Sequence, residues 1–507
     1  MLVLFRTTLF SLLLVSVASA KLPNIVLIMA DDLGLGDVSH HVRTHMKLEP
    51  NVETPAIDEL ARQSLWFTDG HSATSLCSPT RYCVMSGNNN YRSNAPWGVW
   101  GTFRETAFEK GEVTLGTVVR DADFSTGFIG KWHLGGDFRD LNTGGIYRGK
   151  ERHKDLSEKV DLTKCLGNGP RTWGFDYDFT LPCGIQGPHY LVYENDQWFP
   201  LSEDSEIVFL DESNAIHPKD LSSKGTGMGD TAWDTREIGK LISAKAVDFI
   251  AKHANQESPF FLYYCSPMVH VPHCPPEEFD GKKVKGATPT AHLDMVLDLD
   301  QQVRRIIDAL KSNGVFEDTL IVFTSDNGGL SGGKSKANFR HNSSGGFAGT
   351  KNSPLEGGHR KPFFAVWKGH IEPGVTHELA VNLDMVATFA ALVGTHIPEG
   401  QAMDSNNLLP LLTGEGTFRQ RDYFIQQAGS KKEVMFRRWP WKLILQSNHT
   451  LSKFEPIALY NLAENPQERT AENFVESAEH QLLVEKLKSD YLRVFKSRER
   501  TVPSRSR

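Results

Sequence analysis

The sequence predicts an α/β layer fold with a mostly parallel sheet, followed by a smaller C-terminal domain. Continuous apolar runs end abruptly in polar residues, and helical patterns lie between these runs. Runs of this kind are typical of strands buried on both faces, as in a parallel sheet that helices cover. Their alternation with helices over about 370 residues is the pattern of an α/β layer architecture.

Three of the apolar, β-branched runs are predicted to be strands. In α/β folds ligands gather at the carboxyl ends of parallel strands, so the polar residues that follow each run are candidates for a functional site. The predicted strands are Asn24–Ala30, Phe260–Tyr264 and Leu320–Thr324.

Helical patterns lie between the predicted strands. Thr54 offers a capping hydroxyl before Pro55, which suits the first position of a helix that continues through 57–65. A second pattern, over 292–310, places its apolar residues near one helical face. A third predicted helix covers 238–253.

The character of the sequence changes near Ile397, where loop-like segments begin. Beyond them, Glu433–Phe436 and Trp441–Leu445 are predicted short strands, and Ala478–Lys496 is a predicted closing helix. We therefore expect a smaller α+β domain at the C-terminus. The predicted organisation is a leader over 1–20, a large domain over 21–400 and this small domain over 415–500.

Composition limits the classes of function. An apolar fraction of 39% and a charged fraction of 23% are ordinary for a folded protein, which excludes a disordered chain. The 62 acidic residues outnumber the 55 basic ones, so the formal net charge is −7. This balance argues against an electrostatic nucleic-acid binder, although a few local cations can still hold a small anionic substrate.

The first twenty residues have the pattern of a signal peptide. Arg6 gives a positive start, 9–17 is apolar but too short to span a bilayer, and Ala18-Ser19-Ala20 fits a signal peptidase site. The alternative is a buried N-terminal helix. No later segment has about 18 uninterrupted apolar residues. We expect an exported protein without a membrane span, secreted or periplasmic, with a lysosomal destination in a eukaryote.

Six cysteines are present, which an exported protein can pair. The pairings to test first are Cys165 with Cys183 and Cys265 with Cys274, although connectivity does not follow from sequence. Cys77 belongs to a chemical motif of its own. If it forms no disulfide, the number of remaining cysteines is odd, so one of them would stay unpaired.

Adjacent polar ligands follow two of the predicted strands. Asp31 and Asp32 repel one another on a tight turn unless a cation binds between them. Asp326 and Asn327 follow the third strand in the same way, with glycines after them. Each pair alone is more often a helix cap or a turn. Oxygen ligands that converge at one sheet edge describe a hard-cation site for Ca²⁺, or alternatively Mg²⁺.

The segment Cys77-Ser78-Pro79-Thr80-Arg81, with Ser86-Gly87 after it, resembles the signature of the cysteine-type sulfatase family. Further segments match that family in the same order along the chain. They are Asn24–Gly34, Gly130–Gly135, Thr324–Gly328 and Lys351 ahead of Glu356–Gly358, and the tail over 441–461 is also similar to the family.

The resemblance implies an alkaline-phosphatase-like α/β/α sandwich with Ca²⁺, or Mg²⁺, in the active site. It also implies that a formylglycine-generating enzyme converts Cys77 to formylglycine, an aldehyde, and that Arg81 steadies this group. The metal ligands implied by the resemblance are Asp31, Asp32, Cys77, Asp326 and Asn327. The remaining catalytic positions fall on Lys131, His133, His270 and Lys351, with His273 as a competitor for His270.

Two positions depart from the family pattern. Position 80 is Thr where the motif usually has Ser or Ala, and Thr retains a hydroxyl there. Many relatives carry a serine after a Gly-Phe block, which corresponds to Gly174-Phe175. At the expected distance after this block the chain has Cys183-Gly184 instead of a serine, with His189 nearby. We assign the role of that serine to no residue.

The implied residues suit the hydrolysis of a sulfate monoester. A cation and the two lysines stabilise charge on the sulfuryl oxygens, and the aldehyde hydrate supplies a nucleophilic hydroxyl. His133 is the expected base and His270 the expected acid. The predicted function is therefore an arylsulfatase-like sulfuric ester hydrolase that acts on a sulfated small molecule or saccharide.

Two alternatives stay open at this point. One is a phosphomonoester or phosphodiester hydrolase of the same superfamily, and the other is a non-catalytic secreted binding protein. Long irregular loops tend to be functional, and three of them are expected to set the specificity. They cover 88–104, 141–165 and 182–228.

Overall fold

The structure is a computed structural model, and it describes residues 21–221, 225–330 and 341–497. The predicted leader over 1–20 lies outside the described residues. Within these ranges there are twenty strands. In chain order they are β1 (Asn24–Ala30), β2 (Leu65–His71), β3 (Ser125–Lys131), β4 (Arg139–Asp140), β5 (Val160–Asp161), β6 (Tyr177–Leu181), β7 (Tyr193–Glu194), β8 (Gln197–Trp198), β9 (Ile207–Leu210), β10 (Gly227–Asp230), β11 (Phe260–Cys265), β12 (Glu278–Phe279), β13 (Lys282–Lys283), β14 (Thr319–Ser325), β15 (Phe363–Val366), β16 (Gly374–Val381), β17 (Phe424–Ala428), β18 (Glu433–Arg438), β19 (Trp441–Ser447) and β20 (Phe454–Asn461).

Helices connect most of these strands. No helix of the described residues is long and apolar enough to cross a membrane. In the same part of the chain the α-helices are α1 (Ser39–His41), α2 (Pro55–Arg62), α3 (Cys77–Ser86), α4 (Leu115–Arg120), α5 (Pro218–Leu221), α6 (Ile238–His253), α7 (Ala291–Ser312), α8 (Glu356–His359), α9 (Met385–Val393), α10 (Leu409–Thr413) and α11 (Gln481–Lys496).

The strands that position the candidate site belong to one ten-stranded sheet, in the order β16-β2-β15-β14-β1-β11-β3-β6-β7-β8. Its centre is parallel, because β1 pairs in parallel with β14 and β11, β11 with β3, and β3 with β6. β15 is antiparallel to β14 and β2, and β7 and β8 close the other edge in antiparallel pairs. The predicted mostly parallel sheet is confirmed, and it is a large mixed sheet.

Helices cover both faces of this sheet. Alternate residues of β1 divide between two apolar cores: Val26 and Ile28 pack on the side of α2, α6 and α7, whereas Ile25 and Leu27 pack on the side of α3, α4 and α9. Every residue of β1 is buried, which explains why its sequence is apolar almost throughout. The arrangement is the predicted α/β/α sandwich.

The structure contains the predicted strands and helices, with small differences at their ends. β1 and α6 have the predicted bounds. β11 continues one residue further, to Cys265, and β14 gains one residue at each end. α7 begins one residue earlier and ends two residues later than the predicted 292–310.

The helix after Thr54 differs from the prediction in its cap and its end. α2 begins at Pro55, but the Thr54 hydroxyl does not cap it and donates instead to Asp58 Oδ1 at 2.8 Å. A buried carboxylate needs donors, and this hydroxyl is one of them. The helix ends at Arg62, because Leu65 already begins β2.

The C-terminal part contains a four-stranded antiparallel sheet in the order β17-β18-β19-β20. α11 packs on it through Val484, Leu487 and Tyr491, which share an apolar core with side chains of the sheet. The predicted closing helix begins at Gln481, since Ala478–His480 is a 3₁₀ turn. A small antiparallel unit is therefore present, and the domain bounds 21–400 and 415–500 stay predictions.

A buried ion network joins this small sheet to α8. Lys442 Nζ on β19 lies 2.9 Å from Glu356 Oε1 and 2.7 Å from Glu468 Oε1, and all three side chains are buried. Glu356 is the first residue of α8 and follows Lys351 by five positions. Removing one member of a buried ion pair leaves an uncompensated charge and costs about 3–5 kcal/mol.

All six cysteines lie in the described ranges, and each is an unpaired thiol. Cys183 Sγ lies 2.9 Å from the Thr102 hydroxyl, and Cys165 Sγ lies 3.3 Å from the Gly167 carbonyl oxygen. The first suggested disulfide, between Cys165 and Cys183, is therefore not formed. The second suggested pair, Cys265 and Cys274, is also unbonded.

Candidate active site

The predicted site residues follow neighbouring parallel strands. β14, β1, β11 and β3 lie side by side in this order, so their carboxyl ends meet at one edge of the sheet. This edge is where ligands bind in open α/β sheets. Asp326 and Asn327 follow β14, Asp31 and Asp32 follow β1, His270 lies beyond β11, Lys131 ends β3, and His133 lies two positions later.

Asp32 connects the turns that follow β1 and β14. Its backbone N–H donates to Asp326 Oδ1 at 3.1 Å, and its Oδ1 accepts a hydrogen bond from Asn327 Nδ2 at 2.8 Å. Asp32 has a φ of 67°, in the left-handed region that residues other than glycine seldom adopt. Such conformations cost about 1–3 kcal/mol and concentrate at functional sites.

Cys77 begins α3 and lies next to the carboxylates. Its Sγ, one carboxylate oxygen each from Asp31 and Asp32, and a ring nitrogen of His270 all lie within 4.8 Å of one another. The cysteine is 2% exposed. Burial raises the pKa of the Cys77 thiol to about 11. The unmodified sulfur is therefore a neutral thiol at neutral pH, not a reactive thiolate.

Arg81, one helical turn after Cys77, ties α3 to two strand ends. Its Nη1 donates to the Lys131 carbonyl oxygen at 2.7 Å, and its Nη2 donates to Asp326 Oδ2 at 3.1 Å. Burial alone would lower the pKa of Arg81, but the charges of Asp326 and Asp31 outweigh burial and raise it. The charged guanidinium thereby fixes the first turn of the helix that carries Cys77.

Lys131 and Lys351 approach the carboxylates that lie beside Cys77. Lys131 Nζ forms a buried ion pair with Asp31, and Lys351 Nζ lies 2.7 Å from Asp32 Oδ1. Burial alone would lower the pKa of Lys351, but the charge of Asp32 and those of the other acidic groups nearby together outweigh burial and raise this pKa. Both ammonium groups also act on the pKa of Cys77, where they oppose the effect of burial. Two cations therefore lie close to the start of α3.

His133 is buried in the same region. It adopts a φ of 57°, and its Nδ1 has no hydrogen-bond partner among the described residues. Burial, followed by the charges of Lys131 and Arg81, holds the pKa of His133 well below its usual range. The imidazole is therefore neutral at neutral pH and able to accept a proton.

His270, rather than His273, lies among the carboxylates. His270 Nε2 is 3.6 Å from Asp32 Oδ2, and its Nδ1 lies 2.6 Å from the Val271 carbonyl oxygen. Burial holds the pKa of His270 well below its usual range. His273 packs instead against the ring of His292, with centroids 5.1 Å apart.

The oxygen ligands at this edge fit a hard divalent cation. Asp31 Oδ1 and Asn327 Oδ1 are buried and accept no hydrogen bond from the described residues, although buried oxygens are normally satisfied. Burial, and then the neighbouring Asp31 carboxylate, raise the pKa of Asp326 to about 6. Such crowding of carboxylates is relieved by a bound cation, and Ca²⁺ takes ligands of this type.

Sequence reasoning missed Gln186. Its Oε1 accepts a hydrogen bond from Lys131 Nζ at 2.7 Å. It lies in the loop where the family serine was sought, three residues after Cys183, while His189 is buried in an aromatic cluster. Gly184 in this loop has a φ of 72°, and a Cβ there would lie 2.7 Å from Lys131 Cδ. The glycine at position 184 is the sequence feature that this close approach requires, but it does not single out Gln186.

Comparison with known proteins gives the class of the molecule. The family model for sulfatases matches residues 23–395, which is most of the chain. The chain belongs to the sulfatase family. It is accordingly a sulfatase, an enzyme that hydrolyses sulfate esters.

Individual relatives are similar over nearly the whole length. N-acetylgalactosamine-6-O-sulfatase from Bacteroides thetaiotaomicron is 28% identical over an alignment of 492 residues, which covers 89% of each chain. Arylsulfatase A from Bos taurus is 30% identical over an alignment of 485 residues, which covers 91% of this chain and 85% of the relative. A solved structure from work on the metabolism of multiple glycosaminoglycans by Bacteroides thetaiotaomicron has a TM-score of 0.77 at 26% identity, and covers 94% of this chain and 100% of that one.

Proposed function

We propose that this sulfatase hydrolyses sulfate monoesters of a saccharide at the edge formed by β14, β1, β11 and β3. The observation that carries the proposal is the convergence of two lysines and four oxygen-ligand residues on the start of α3, where Cys77 lies. A relative named as an N-acetylgalactosamine-6-O-sulfatase supports a sugar sulfate as the substrate. We assign catalysis to a domain over 21–400 and a supporting role to 415–500.

The proposed cation is Ca²⁺, with Mg²⁺ as the alternative. It would be held by Asp31, Asp32, Asp326 and Asn327, beside residue 77. When bound, such a cation supplies positive charge that stabilises the sulfuryl oxygens as charge develops on them. The unsatisfied oxygens of Asp31 and Asn327 support this assignment.

The proposed nucleophile derives from Cys77 by conversion to formylglycine, which requires a formylglycine-generating enzyme during maturation. A hydrated aldehyde supplies one hydroxyl for attack on sulfur and a second through which sulfate can later be expelled. A thiol whose pKa is raised to about 11 by burial is a poor nucleophile at neutral pH, which also favours a converted residue.

Lys131 and Lys351 bind and orient the sulfate group. The Lys131 side chain is buried, that of Lys351 is 16% exposed, and both ammonium groups lie beside the carboxylates next to residue 77, so water screens them only weakly. A sulfate monoester spreads one negative charge over three oxygens, and these donors match that distribution. Arg81 acts as a positioning residue, because it holds the start of α3 and the end of β3 together.

His133 is the proposed base. Its pKa is held well below the usual range by burial, and its Nδ1 has no partner among the described residues, so it is ready to take a proton from a hydroxyl at position 77. Its position two residues after Lys131 places it at the same strand end.

His270 is the proposed acid for the leaving oxygen. Its Nδ1 donates to the Val271 carbonyl oxygen, so Nε2 is the atom that would carry and deliver the transferred proton. Burial disfavours the protonated ring, and the nearby Asp32 carboxylate opposes that effect. An anionic substrate adds further negative charge beside Nε2 and favours proton uptake before transfer.

The proposal also includes export. The pattern over 1–20 favours a signal peptide, and we infer a secreted or periplasmic enzyme, or a lysosomal one in a eukaryote. No described helix is suited to span a membrane, and the net charge of −7 does not favour nucleic acid as a partner.

The decisive experiment measures the mass of the peptide that contains residue 77 and the turnover of matched substrates. Conversion of the thiol to the aldehyde lowers the residue mass by about 18 Da. We expect this mass, and turnover of N-acetylgalactosamine 6-sulfate at least about 100-fold above that of the 6-phosphate. An unmodified cysteine in an active enzyme would contradict the formylglycine proposal. Preference for the phosphate would favour a phosphohydrolase, and the absence of turnover of any ester would favour a binding protein.

A further inference from the structure

A second group of metal-ligand side chains lies outside the proposed active site. Asp37, His292 and His341 each provide one ligand atom, and these atoms all lie within 4.8 Å of one another. His292 Nε2 is 3.0 Å from Asp37 Oδ1, and His341 Nε2 is 2.6 Å from the same oxygen. Two imidazole nitrogens therefore point at one carboxylate oxygen.

The group is enclosed and its carboxylate is fixed. The exposed fractions of the Asp37, His292 and His341 side chains are 0%, 12% and 7%. Asp37 Oδ2 accepts a hydrogen bond from the Gly34 N–H at 2.8 Å, which directs Oδ1 towards the two rings. A buried carboxylate with two largely covered imidazoles is an arrangement that metal sites use.

The ligand types select the class of ion. Two imidazoles and one carboxylate suit Zn²⁺ and related borderline ions, whereas the oxygen-only set at Asp31 and Asp32 suits Ca²⁺. Tetrahedral bonds of about 2.0 Å place ligand atoms about 3.3 Å apart. The Nε2–Oδ1 distance of 3.0 Å for His292 is close to this value, and the distance of 2.6 Å for His341 is shorter by about 0.7 Å, so an ion needs side-chain movements of no more than this size.

The surroundings of the group also suit an ion. Asn51 Nδ2 lies 3.2 Å from His341 Nδ1, and rotation of this amide would offer an oxygen to Nδ1–H. A carbonyl acceptor behind a ligating histidine is the usual outer-shell arrangement. His273 packs edge-on against His292, and its buried Nε2 has no hydrogen-bond partner among the described residues.

We infer that Asp37, His292 and His341 form a second metal site, for Zn²⁺ or a similar transition-metal ion, with a fourth position for water. This inference goes beyond the proposed function and does not depend on it. The three ligands come from the turn after β1, the start of α7 and the segment after residue 340. The ion would therefore cross-link three separate parts of the chain.

The cross-link has a structural meaning, because two of these segments lead into the proposed active site. Asp37 follows Asp32 by five positions, and His341 precedes Lys351 by ten. The segments already touch, since the Gly36 N–H donates to the Ser343 carbonyl oxygen at 2.9 Å. An ion here would hold the segment before Lys351 against the turn after β1.

The test uses Co²⁺, which reports nitrogen and oxygen ligands through its visible absorption. The full-length protein is stripped of metal, returned to excess Ca²⁺ and titrated with Co²⁺. We expect one tight site in the wild type, and binding weakened at least about tenfold in His292→Ala and His341→Ala, since even outer-shell changes cost that much. His217→Ala is the matched control, because His217 pairs with a single aspartate, Asp234, at 3.4 Å. This control should bind as the wild type does.

A second measurement guards against loss of fold in the variants. With excess Ca²⁺ present, Zn²⁺ should raise the melting temperature of the wild type and of Asp31→Asn, but not that of His292→Gln. Circular dichroism checks that each variant is folded. The inference is overturned if the wild type binds no Co²⁺ beyond the Ca²⁺-protected sites, or if the His292 and His341 variants bind it unchanged. The inference is also overturned if Asp31→Asn loses the Co²⁺ signal while the His292 and His341 variants keep it.

Discussion

Lys351 and the buried Asp32, which are 319 positions apart in the chain, form an ion pair with Nζ 2.7 Å from Oδ1 and 2.8 Å from Oδ2. The Oδ1 atom also accepts a hydrogen bond from Asn327. In the proposed mechanism this aspartate also holds a divalent cation. The position of the lysine and the occupancy of the cation site are therefore linked through one side chain.

Replacement of Cys77 by serine should abolish turnover while the fold is retained. A serine hydroxyl can attack sulfur but cannot expel sulfate with return of an aldehyde, so we expect less than about a thousandth of the wild-type rate. Cys83→Ser is the matched control, because Cys83 is on the same helix and is buried in an apolar core. Near-wild-type turnover of an aryl sulfate by Cys77→Ser would refute the proposed mechanism.

Removal of the cation should remove the activity. Exhaustive chelation is expected to lower kcat/KM at least about 100-fold, and added Ca²⁺ should restore it. Asp31→Asn removes a charged ligand and should lose both the activity and the Ca²⁺ content measured by elemental analysis. Unchanged activity and metal content after chelation would count against the site. So would Zn²⁺ that is present in the wild type and is lost in Asp31→Asn.

Loss of His270 should depend on the leaving group. A sugar alkoxide needs a proton in the transition state and a nitrophenolate hardly does, so His270→Ala should slow a sugar sulfate by about 10²–10⁴-fold and a nitrophenyl sulfate much less. Lys351→Ala should slow both substrates to a similar extent, since it acts on the sulfuryl oxygens that they share. The measurement is kcat/KM for both variants on both substrates. An equal loss of kcat/KM on both substrates in His270→Ala would show that His270 is not the acid, and His273 would then be the residue to test.

Asp298 should make the stability of the protein fall as the pH rises. Burial raises its pKa from 3.8 to about 7, and its Oδ2 has no partner among the described residues. Between about pH 4 and pH 7 the folded state binds more protons than the unfolded state, so stability is lost by up to about 1.4 kcal/mol per pH unit. Asp298→Asn should be more stable than the wild type at pH 8 by roughly 2 kcal/mol, and should gain little at pH 4.

Denaturant unfolding at pH 4 and pH 8 measures this difference. Asp308→Asn, at an exposed position of the same helix, is the control and should show no such gain at pH 8. An equal effect of Asp298→Asn at both pH values would show that the carboxyl does not titrate with the folding reaction.

Much of the fold could be predicted because its central strands are buried on both faces. β1, β11 and β14 are apolar almost throughout for that reason, and the polar residues after them mark the sheet edge directly. The two-residue strands β7 and β8 have too little sequence to show a pattern. They exist only through their pairing with β6 and with each other.

The candidate site was predictable where its residues adjoin strand ends or lie in a motif. Asp31 and Asp326 were accessible to physical reasoning, whereas the role of Cys77 depended on family resemblance. Gln186 was not accessible, because its contact with Lys131 joins loops 55 positions apart and a lone glutamine carries no signal. The group of Asp37, His292 and His341 was missed for the same reason.

The contact between Lys442 and Glu356 has a consequence for how the chain can be shortened. A fragment that stops at residue 400 would keep every proposed catalytic side chain, yet the buried Glu356 carboxylate would lose Lys442 and keep Arg360 as its remaining cationic partner. That carboxylate lies five positions from Lys351, so the disturbance would begin beside the sulfate-binding lysine. Truncation before residue 442 should therefore reduce turnover even where the large sheet stays folded. We expect the smallest active unit of this enzyme to include the strand that carries Lys442.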